Sequence, residues 1–411
     1  MVAGAWTRPG VPAKTGALMT AAIAQIEALQ PARRAVGLWL LVLALLVAAM
    51  VTLGGLTRLT GSGLSITEWQ PVTGVVPPLT EHAWQTEFAK YQHIPQYRLE
   101  NAGMNLADFK AIYWWEWTHR LLGRLIGVVF LLPFIGFAAT GAIPRRDWPR
   151  MALLFALGGL QGVVGWWMVE SGLETRVSVS QYRLAIHLGV AILLFGALLW
   201  TAFSYLRSPF PPPSAGEVPS RAVRAERDRR TGSARRRAES LRVAGWALLA
   251  LVYVQMLLGA LVAGLHAGLI YNTWPSMNGR VVPEGAFALH PWWRNFFENP
   301  GLAQFDHRLT AYLVVIAAGG FWLVVRRFDT GNRLRVSSNA LVAIVLVQIA
   351  LGIATLLNQV PIALAALHQA TAVALFAAAL WNAYEITARQ AFITSNKTVI
   401  PAKAGTQSAE L

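Results

Sequence analysis

Eight long apolar stretches constrain this chain more than any other feature of its 411 residues. Most contain 18 or more mainly apolar residues, enough for a helix to cross a bilayer core of about 30 Å. The sequence therefore predicts an all-α integral membrane protein with eight transmembrane helices. The predicted spans cover about 35–57, 118–140, 151–170, 184–206, 243–264, 305–325, 338–357 and 362–386.

The composition agrees with a membrane protein and excludes several kinds of site. The chain is 55% hydrophobic and only 13% charged. It contains no cysteine, which excludes disulfides, thiolate catalysis, iron–sulfur clusters and cysteine-ligated zinc. The first residues show no cleavable-looking signal peptide and lead into the first span at Arg33 and Arg34.

The basic residues predict which side of the membrane each loop occupies. The net charge of +15 lies in the N-terminal segment 1–34, the turns near 141–150 and 326–337, an Arg-rich linker at 207–242 and the tail 387–411. By the positive-inside rule these parts are cytoplasmic, so both termini lie there. Topology and attraction to anionic lipid therefore account for the charge, and we expect no nucleic-acid partner.

The chain repeats itself on either side of the linker. LGGLTRLTGSGL (53–64) aligns with LGALVAGLHAGL (258–269), and the repeat continues through THRL and DHRL, then AIHL and ALHQ. Each half, 35–206 and 243–386, is thus predicted to be a four-helix bundle. Because both halves cross the membrane in the same direction, a pseudo-twofold axis should lie along the membrane normal.

Four histidines lie at matched positions in these halves: His119 and His187 in the first, His307 and His368 in the second. Their spans all enter from the non-cytoplasmic face, so all four should lie near it. Two imidazoles facing each other across a bundle suit axial ligation of haem iron. Zinc would require more ligands than each pair offers. A proton relay and simple packing remain as alternatives for these residues.

Residues beside the histidines add two further candidates for function. Arg120 and Arg308 follow directly after His119 and His307, where they could bind haem propionates or simply reach the membrane surface. Glu116 precedes His119 by three residues, while the matched position in the second half is Gln304. The carboxylate in only one half suggests chemistry there, although helix-dipole stabilisation would also place an acid near a helix start.

Seven motifs are specific in combination rather than singly. They are GGLTRLTGSGLSITEWQPVTGVVPP (54–78), YWWEWTHRLLGRLIG (113–127), LGGLQGVVGWWMVESGL (157–173), LAIHLGVA (184–191), LHAGLIYNTWPSMNG (265–279), FDHRLTAYL (305–313) and LHQATA (367–372). With these motifs, the sequence over residues 35–386 resembles haem A synthase of the proteobacterial and mitochondrial type. Some bacterial members carry a cysteine pair in the outer loops, which this chain lacks.

The resemblance implies an enzyme that oxidises the C8 methyl group of haem O to a formyl group, giving haem A for cytochrome oxidase. It implies that His119 and His187 hold the substrate haem O, that His307 and His368 hold a permanent haem b, and that Glu116 is the essential acidic residue. It also implies a place in the bacterial plasma membrane, with the haem sites near the periplasmic face.

The partners implied are haem O, membrane lipid, haem O synthase, cytochrome oxidase assembly proteins and an electron acceptor that the sequence does not name. A second copy of the chain is a further option. The main rival is a di-haem b electron-transfer cytochrome, which would form no haem product. A transporter is a weaker rival because all four histidines lie at one face. A purely structural assembly factor would not need matched histidine pairs.

Overall fold

A computed structural model describes residues 13–207, 221–328 and 330–395 of the chain, and the side chains of residues 30–207, 236, 238–328 and 330–389. Parts of the predicted N-terminal segment (1–12), the Arg-rich linker (208–220) and the tail (396–411) lie outside the described residues.

The named secondary-structure elements of the described residues are all helices, and eight of them are long and apolar enough to cross a membrane. This confirms the predicted class and the number of spans. The helices are α1 (Ala13–Leu59), α2 (Glu81–Gln92), α3 (Pro95–Leu99), α4 (Leu106–Ala139), α5 (Trp148–Glu170), α6 (Gln181–Leu206), α7 (Arg221–Gly264), α8 (Asn295–Glu298), α9 (Pro300–Arg327), α10 (Asn332–Leu357) and α11 (Ile362–Ser395).

Helices α4 and α9 begin at asparagine caps that precede their apolar stretches. Helix α4 starts twelve residues before the predicted position, because Asn105 caps it by accepting a hydrogen bond from the Asp108 amide at 3.0 Å. Helix α9 starts at Pro300, where Asn299 caps it in the same way through the Leu302 amide. Hydropathy locates the part of a helix inside the bilayer, whereas the caps set where the helix begins.

The spanning helices pack as two closed rings of four. Helices α1, α4, α5 and α6 contact one another in sequence and close from α6 back to α1. Helices α7, α9, α10 and α11 do the same. The rings meet through three pairs, α1 with α11, α6 with α7, and α6 with α11. A twofold exchange of the halves would generate this same set of pairs, and the axis itself stays a prediction.

The wall between the rings is the most buried part of the protein. In α6, half of the most apolar 18-residue stretch is buried. In α4 and in α5, only 6% of the corresponding stretch is buried, so these two helices would face lipid. Small residues allow close helix packing here. An added Cβ at Gly196 of α6 would lie 3.1 Å from the ring of Phe376 in α11. The two histidine-bearing helices α6 and α11 are therefore held directly against each other.

The loop between α1 and α4 forms a small folded cap with its own apolar cluster. Trp84 and Tyr91 of α2 pack with Phe109 and Tyr113, which lie on the early turns of α4. These contacts explain why α4 continues beyond its apolar stretch. The cap places the chain at Ser65 directly against the helix that carries His119.

Candidate cofactor site

Each of the four histidines lies against a glycine of a neighbouring helix. A Cβ added at Gly54 would lie 2.8 Å from Cε1 of His119, and one at Gly165 would lie 3.0 Å from Cε1 of His187. These distances are shorter than ordinary van der Waals contact, so only glycine leaves room for the ring.

The second half repeats this contact at the matched positions. The corresponding distances are 3.1 Å from Gly259 to His307 and 2.9 Å from Gly352 to His368. Gly54 aligns with Gly259, and Gly165 aligns with Gly352. Each imidazole therefore packs closely on a glycine of a neighbouring helix, and these helices are α1, α5, α7 and α10.

The spacing of the second pair suits two ligands on one metal ion. The ring centres of His307 and His368 are 6.5 Å apart, with their planes at 75°. Two imidazoles that bind an ion from opposite sides, each through a bond of about 2 Å, have ring centres about 6 Å apart. Within the described residues no three His, Asp or Glu side chains form a metal-binding group. The donor set is thus a pair, as axial ligation of haem requires.

The imidazoles also carry buried nitrogen atoms without a protein partner. Nδ1 is buried and makes no hydrogen bond in His119, His187 and His368. Buried polar groups are normally paired, so an unpaired set of this kind points to a ligand-binding role. The residues present therefore fit a haem in each half.

Glu116 is buried and fully engaged as an acceptor. Its Oε2 accepts hydrogen bonds of 2.8 Å from the Ser65 hydroxyl and from the Ile66 amide. Its Oε1 accepts from Nε and Nη2 of Arg120, at 3.1 and 2.5 Å. Every partner is a donor, which suits an ionised carboxylate. The side chain lies three turns inside α4, not in its first turn as the apolar stretch alone suggested.

Gln304 occupies the matched position in the second half, where it donates hydrogen bonds to the loop instead of accepting them as Glu116 does. Its Nε2 donates to the carbonyls of Ala267 and Tyr271, at 2.9 and 3.3 Å, and its Oε1 accepts from Arg308 at 3.2 Å. Both residues tie the loop that follows α1 or α7 to the helix that carries a histidine. The predicted difference between the halves is therefore a difference in charge at one buried point.

The two arginines make matched contacts with the loops. Arg120 donates to the carbonyls of Ile66 and Glu68, at 2.7 and 2.9 Å. Arg308 donates to the carbonyls of Tyr271 and Thr273, at 2.8 and 3.0 Å. These acceptors occupy equivalent positions in the repeat. Both arginines clamp a loop, and their predicted contact with propionates stays a prediction.

Sequence reasoning missed three glutamines next to the histidines. Gln161 donates to the carbonyl of His187 at 3.0 Å. Gln255 donates to the carbonyl of His307 at 2.9 Å, and Gln348 Nε2 lies 3.4 Å from Nε2 of His368. The available signal was their spacing, since each glutamine precedes a histidine-contacting glycine by four residues.

Trp69 and His266, in the loops that follow α1 and α7, lie in different settings. Trp69 stacks on Trp166 of α5, with ring centres 6.1 Å apart, and Arg120 lies over the same Trp166 ring. His266 follows the end of α7 with a positive φ of 51°. Burial, and to a lesser degree the positive charge of Arg58, lowers the pKa of His266. No described contact joins His266 to the four histidines.

Comparison with known proteins identifies the family to which the chain belongs. The model of the COX15-CtaA family, described as cytochrome oxidase assembly protein, matches residues 37–380. A protein named heme A synthase from Parvibaculum lavamentivorans is 48% identical over 361 residues, covering 88% of this chain and 97% of the relative.

Two further relatives carry the same name. That of Bradyrhizobium sp. (strain BTAi1) is 47% identical over 375 residues, covering 90% of this chain and 97% of its own. That of Paracoccus denitrificans is 49% identical over 346 residues, covering 84% and 86%. The matched region includes all four histidines together with Glu116.

Proposed function

The chain belongs to the COX15-CtaA family of cytochrome oxidase assembly proteins, and from this premise we propose that it is a haem A synthase. It is a multi-pass membrane oxidoreductase that converts the C8 methyl group of haem O to a formyl group by successive hydroxylations. The product is haem A, which cytochrome oxidase uses.

The two halves have separate tasks in this proposal. The first half, with His119 and His187, binds the substrate haem O and releases haem A. The second half, with His307 and His368, retains a haem b. The observation that carries the assignment is a difference at one matched position: the histidines match in both halves, but the buried carboxylate of Glu116 beside His119 is replaced by the buried amide of Gln304 in the second half.

Bound haem would supply the redox chemistry at both sites. The histidines orient the macrocycle, and the glycines that contact them fix the ring positions. Glu116, held by Ser65, Ile66 and Arg120, either stabilises positive charge developing at the methyl carbon or accepts a proton there. Ser65 and Arg120 hold the carboxylate in one orientation, so that it does not have to reorganise during the reaction.

Several partners follow from this activity. Haem O enters from the membrane, where its apolar farnesyl chain fits between helices or against lipid. The termini are cytoplasmic and both haem sites lie near the periplasmic face. A haem b held by His307 and His368 would supply a route for electrons to an external acceptor, and haem O synthase and oxidase assembly proteins deliver the substrate or receive the product. The linker at 207–242 and the tail at 387–411 are likewise cytoplasmic segments in this proposal.

Haem content of the purified protein tests the function directly. The protein is prepared from cells that supply haem O, and the extracted haems are separated by chromatography. We expect haem b together with haem O, its hydroxylated form or haem A. His119→Ala should lose the farnesylated haems and keep haem b, whereas His307→Ala should lose haem b. Two equivalents of haem b and no other haem would favour the electron-transfer cytochrome.

A further inference from the structure

The position four residues before each histidine-contacting glycine is glutamine in three cases and methionine in one. Gln161, Gln255 and Gln348 precede Gly165, Gly259 and Gly352. The repeat aligns Gln255 with Met50, which precedes Gly54. Since residues four apart share a helix face, each of these side chains lies one turn from the point where an imidazole is packed.

The three glutamines share an unusual feature: the side-chain carbonyl oxygen is buried and accepts no hydrogen bond in any of them. The amide nitrogens are already at the histidines. That of Gln255 lies 3.1 and 3.3 Å from the two ring nitrogens of His307, in addition to its bond to the His307 carbonyl. Rotation of the terminal amide would exchange its two atoms, bringing the unpaired oxygen to the ring and giving up the bond to the His307 carbonyl.

A metal-bound histidine needs such an acceptor. When one ring nitrogen binds the metal, the other carries a proton and almost always donates it to a carboxylate, a carbonyl or water. Nδ1 is buried without a partner in His187 and in His368, and the nearby glutamine oxygen is buried without a donor. The unpaired donor and the unpaired acceptor would satisfy one another.

The first half lacks this acceptor at one of its two ligands. His119 faces Gly54, and the residue one turn earlier is Met50, whose thioether is only a weak acceptor. Nδ1 of His119 is buried and unpaired like the others. His119 is thus the one candidate ligand with no glutamine beside it.

We propose that Gln161, Gln255 and Gln348 are positioning residues that accept the ring N–H of His187, His307 and His368, and that Met50 leaves His119 as a weakly supported ligand. The proposal rests on the function proposed above. It explains how two similar sites could differ in purpose. The second half retains its haem because both ligands are supported, whereas the first can exchange substrate for product by releasing His119.

Reciprocal exchange of the two matched residues tests the proposal. Outer-shell partners of metal ligands typically affect affinity by about 10- to 100-fold. Gln255→Met should therefore speed transfer of haem b to excess haem-free globin by at least about tenfold. Met50→Gln should slow transfer of the farnesylated haem by a similar factor. Chromatography of the transferred haems assigns each rate to its half.

A further variant separates acceptance of the ring proton from simple helix packing. Gln255→Glu keeps an acceptor oxygen but loses the donor to the His307 carbonyl. We expect it to retain haem b and to lower its reduction potential, whereas Gln255→Met should raise that potential. If Gln255→Glu loses haem b as readily as Gln255→Met, the glutamine serves only to join the helices, and the proposal is wrong.

Gln92 supplies the control. It donates to the Tyr97 hydroxyl at 3.3 Å in the folded cap and has no described contact with a histidine ring. Gln92→Met should leave both transfer rates as in the unaltered protein. Unchanged rates in Met50→Gln and Gln255→Met would overturn this inference while leaving the haem A synthase proposal intact. Unaltered protein without any haem would instead overturn the proposed function.

Discussion

In the first half, the loop after α1 donates its hydrogen bonds to Glu116; in the second, Gln304 donates to the loop after α7. Both arrangements hold a loop against a histidine-bearing helix, and the arginine one turn later clamps the same pair of carbonyls in each half. A neutral side chain is therefore sufficient for this structural task. The negative charge in the first half is in keeping with the chemical role proposed for Glu116.

Removing that charge should have the largest effect on activity. Glu116→Gln makes the first half resemble the second at this position and keeps the approximate size of the side chain. Since positioned acids and bases contribute about 10²- to 10⁴-fold to a rate, we expect formyl product to fall by that factor. Haem O content, measured in the same preparation, should change little.

The converse exchange is its control. Gln304→Glu places a carboxylate beside Arg308 in the second half but removes the donor to the Ala267 carbonyl. It should not create a second oxidising site, because the haem b proposed for the second half is a retained cofactor and not the farnesylated substrate. Full formyl production by Glu116→Gln would show that the difference between the halves lies elsewhere.

Replacing the glycines that contact the histidines with alanine should have a smaller effect. This effect is a loss of haem affinity, and it should occur in both halves. Overpacking typically costs about 1–3 kcal/mol, which corresponds to roughly a 5- to 150-fold loss of affinity. Gly54→Ala should weaken binding of the farnesylated haem, and Gly259→Ala should weaken binding of haem b. The effect should be larger at Gly54, where the added Cβ would lie 2.8 Å from the ring rather than 3.1 Å.

Helix α5 provides a control for this prediction. A Cβ added at Gly158 would meet no atom within 4 Å, whereas one at Gly165 would lie 3.0 Å from His187. Haem retention measured after purification should be normal in Gly158→Ala and reduced in Gly165→Ala. Equal retention in the two variants would mean that the close packing of glycine and histidine has no part in haem binding.

The smallest expected effect concerns the hydroxyl that holds Glu116. Ser65 donates to its Oε2, while the position aligned with Ser65 in the second half is Ile270. A hydrogen bond to a charged group is worth about 1.5–3 kcal/mol. Because Ile66 and Arg120 still hold the carboxylate, we expect Ser65→Ala to lower formyl production by only about tenfold, which corresponds to the lower end of that range. Ser62→Ala, in the same loop, is the comparison. A loss as large as that of Glu116→Gln would indicate that the hydroxyl itself takes part in the reaction.

Much of this arrangement could be predicted from the sequence because hydropathy and the repeat are local signals. The eight spans follow from length and apolarity, and the histidines stand out because an ionisable group is rare inside an apolar stretch. The alignment of Glu116 with Gln304 also needed no structure. These features depend on residues within one helix or on two positions at a fixed offset.

The remaining features depend on contacts between distant parts of the chain. Ser65 and Ile66 meet Glu116 across about fifty residues, through a cap whose Trp- and Pro-rich sequence has no regular period. The early start of α4 depends on the same cap. The glutamines and glycines were visible as markers of the repeat, but only the packing of the helices shows that they face the histidines.

Arg58 and Ala263 are aligned residues of the two halves, and the guanidinium of Arg58 donates to the carbonyl of Ala263. In a symmetric dimer of a single half, a residue near the axis meets its own copy, so an arginine here would face another arginine. Like charges in a poorly hydrated interface repel strongly. A chain that carries both halves can change one position without the other, and can therefore place an arginine opposite a backbone carbonyl at this contact between the halves.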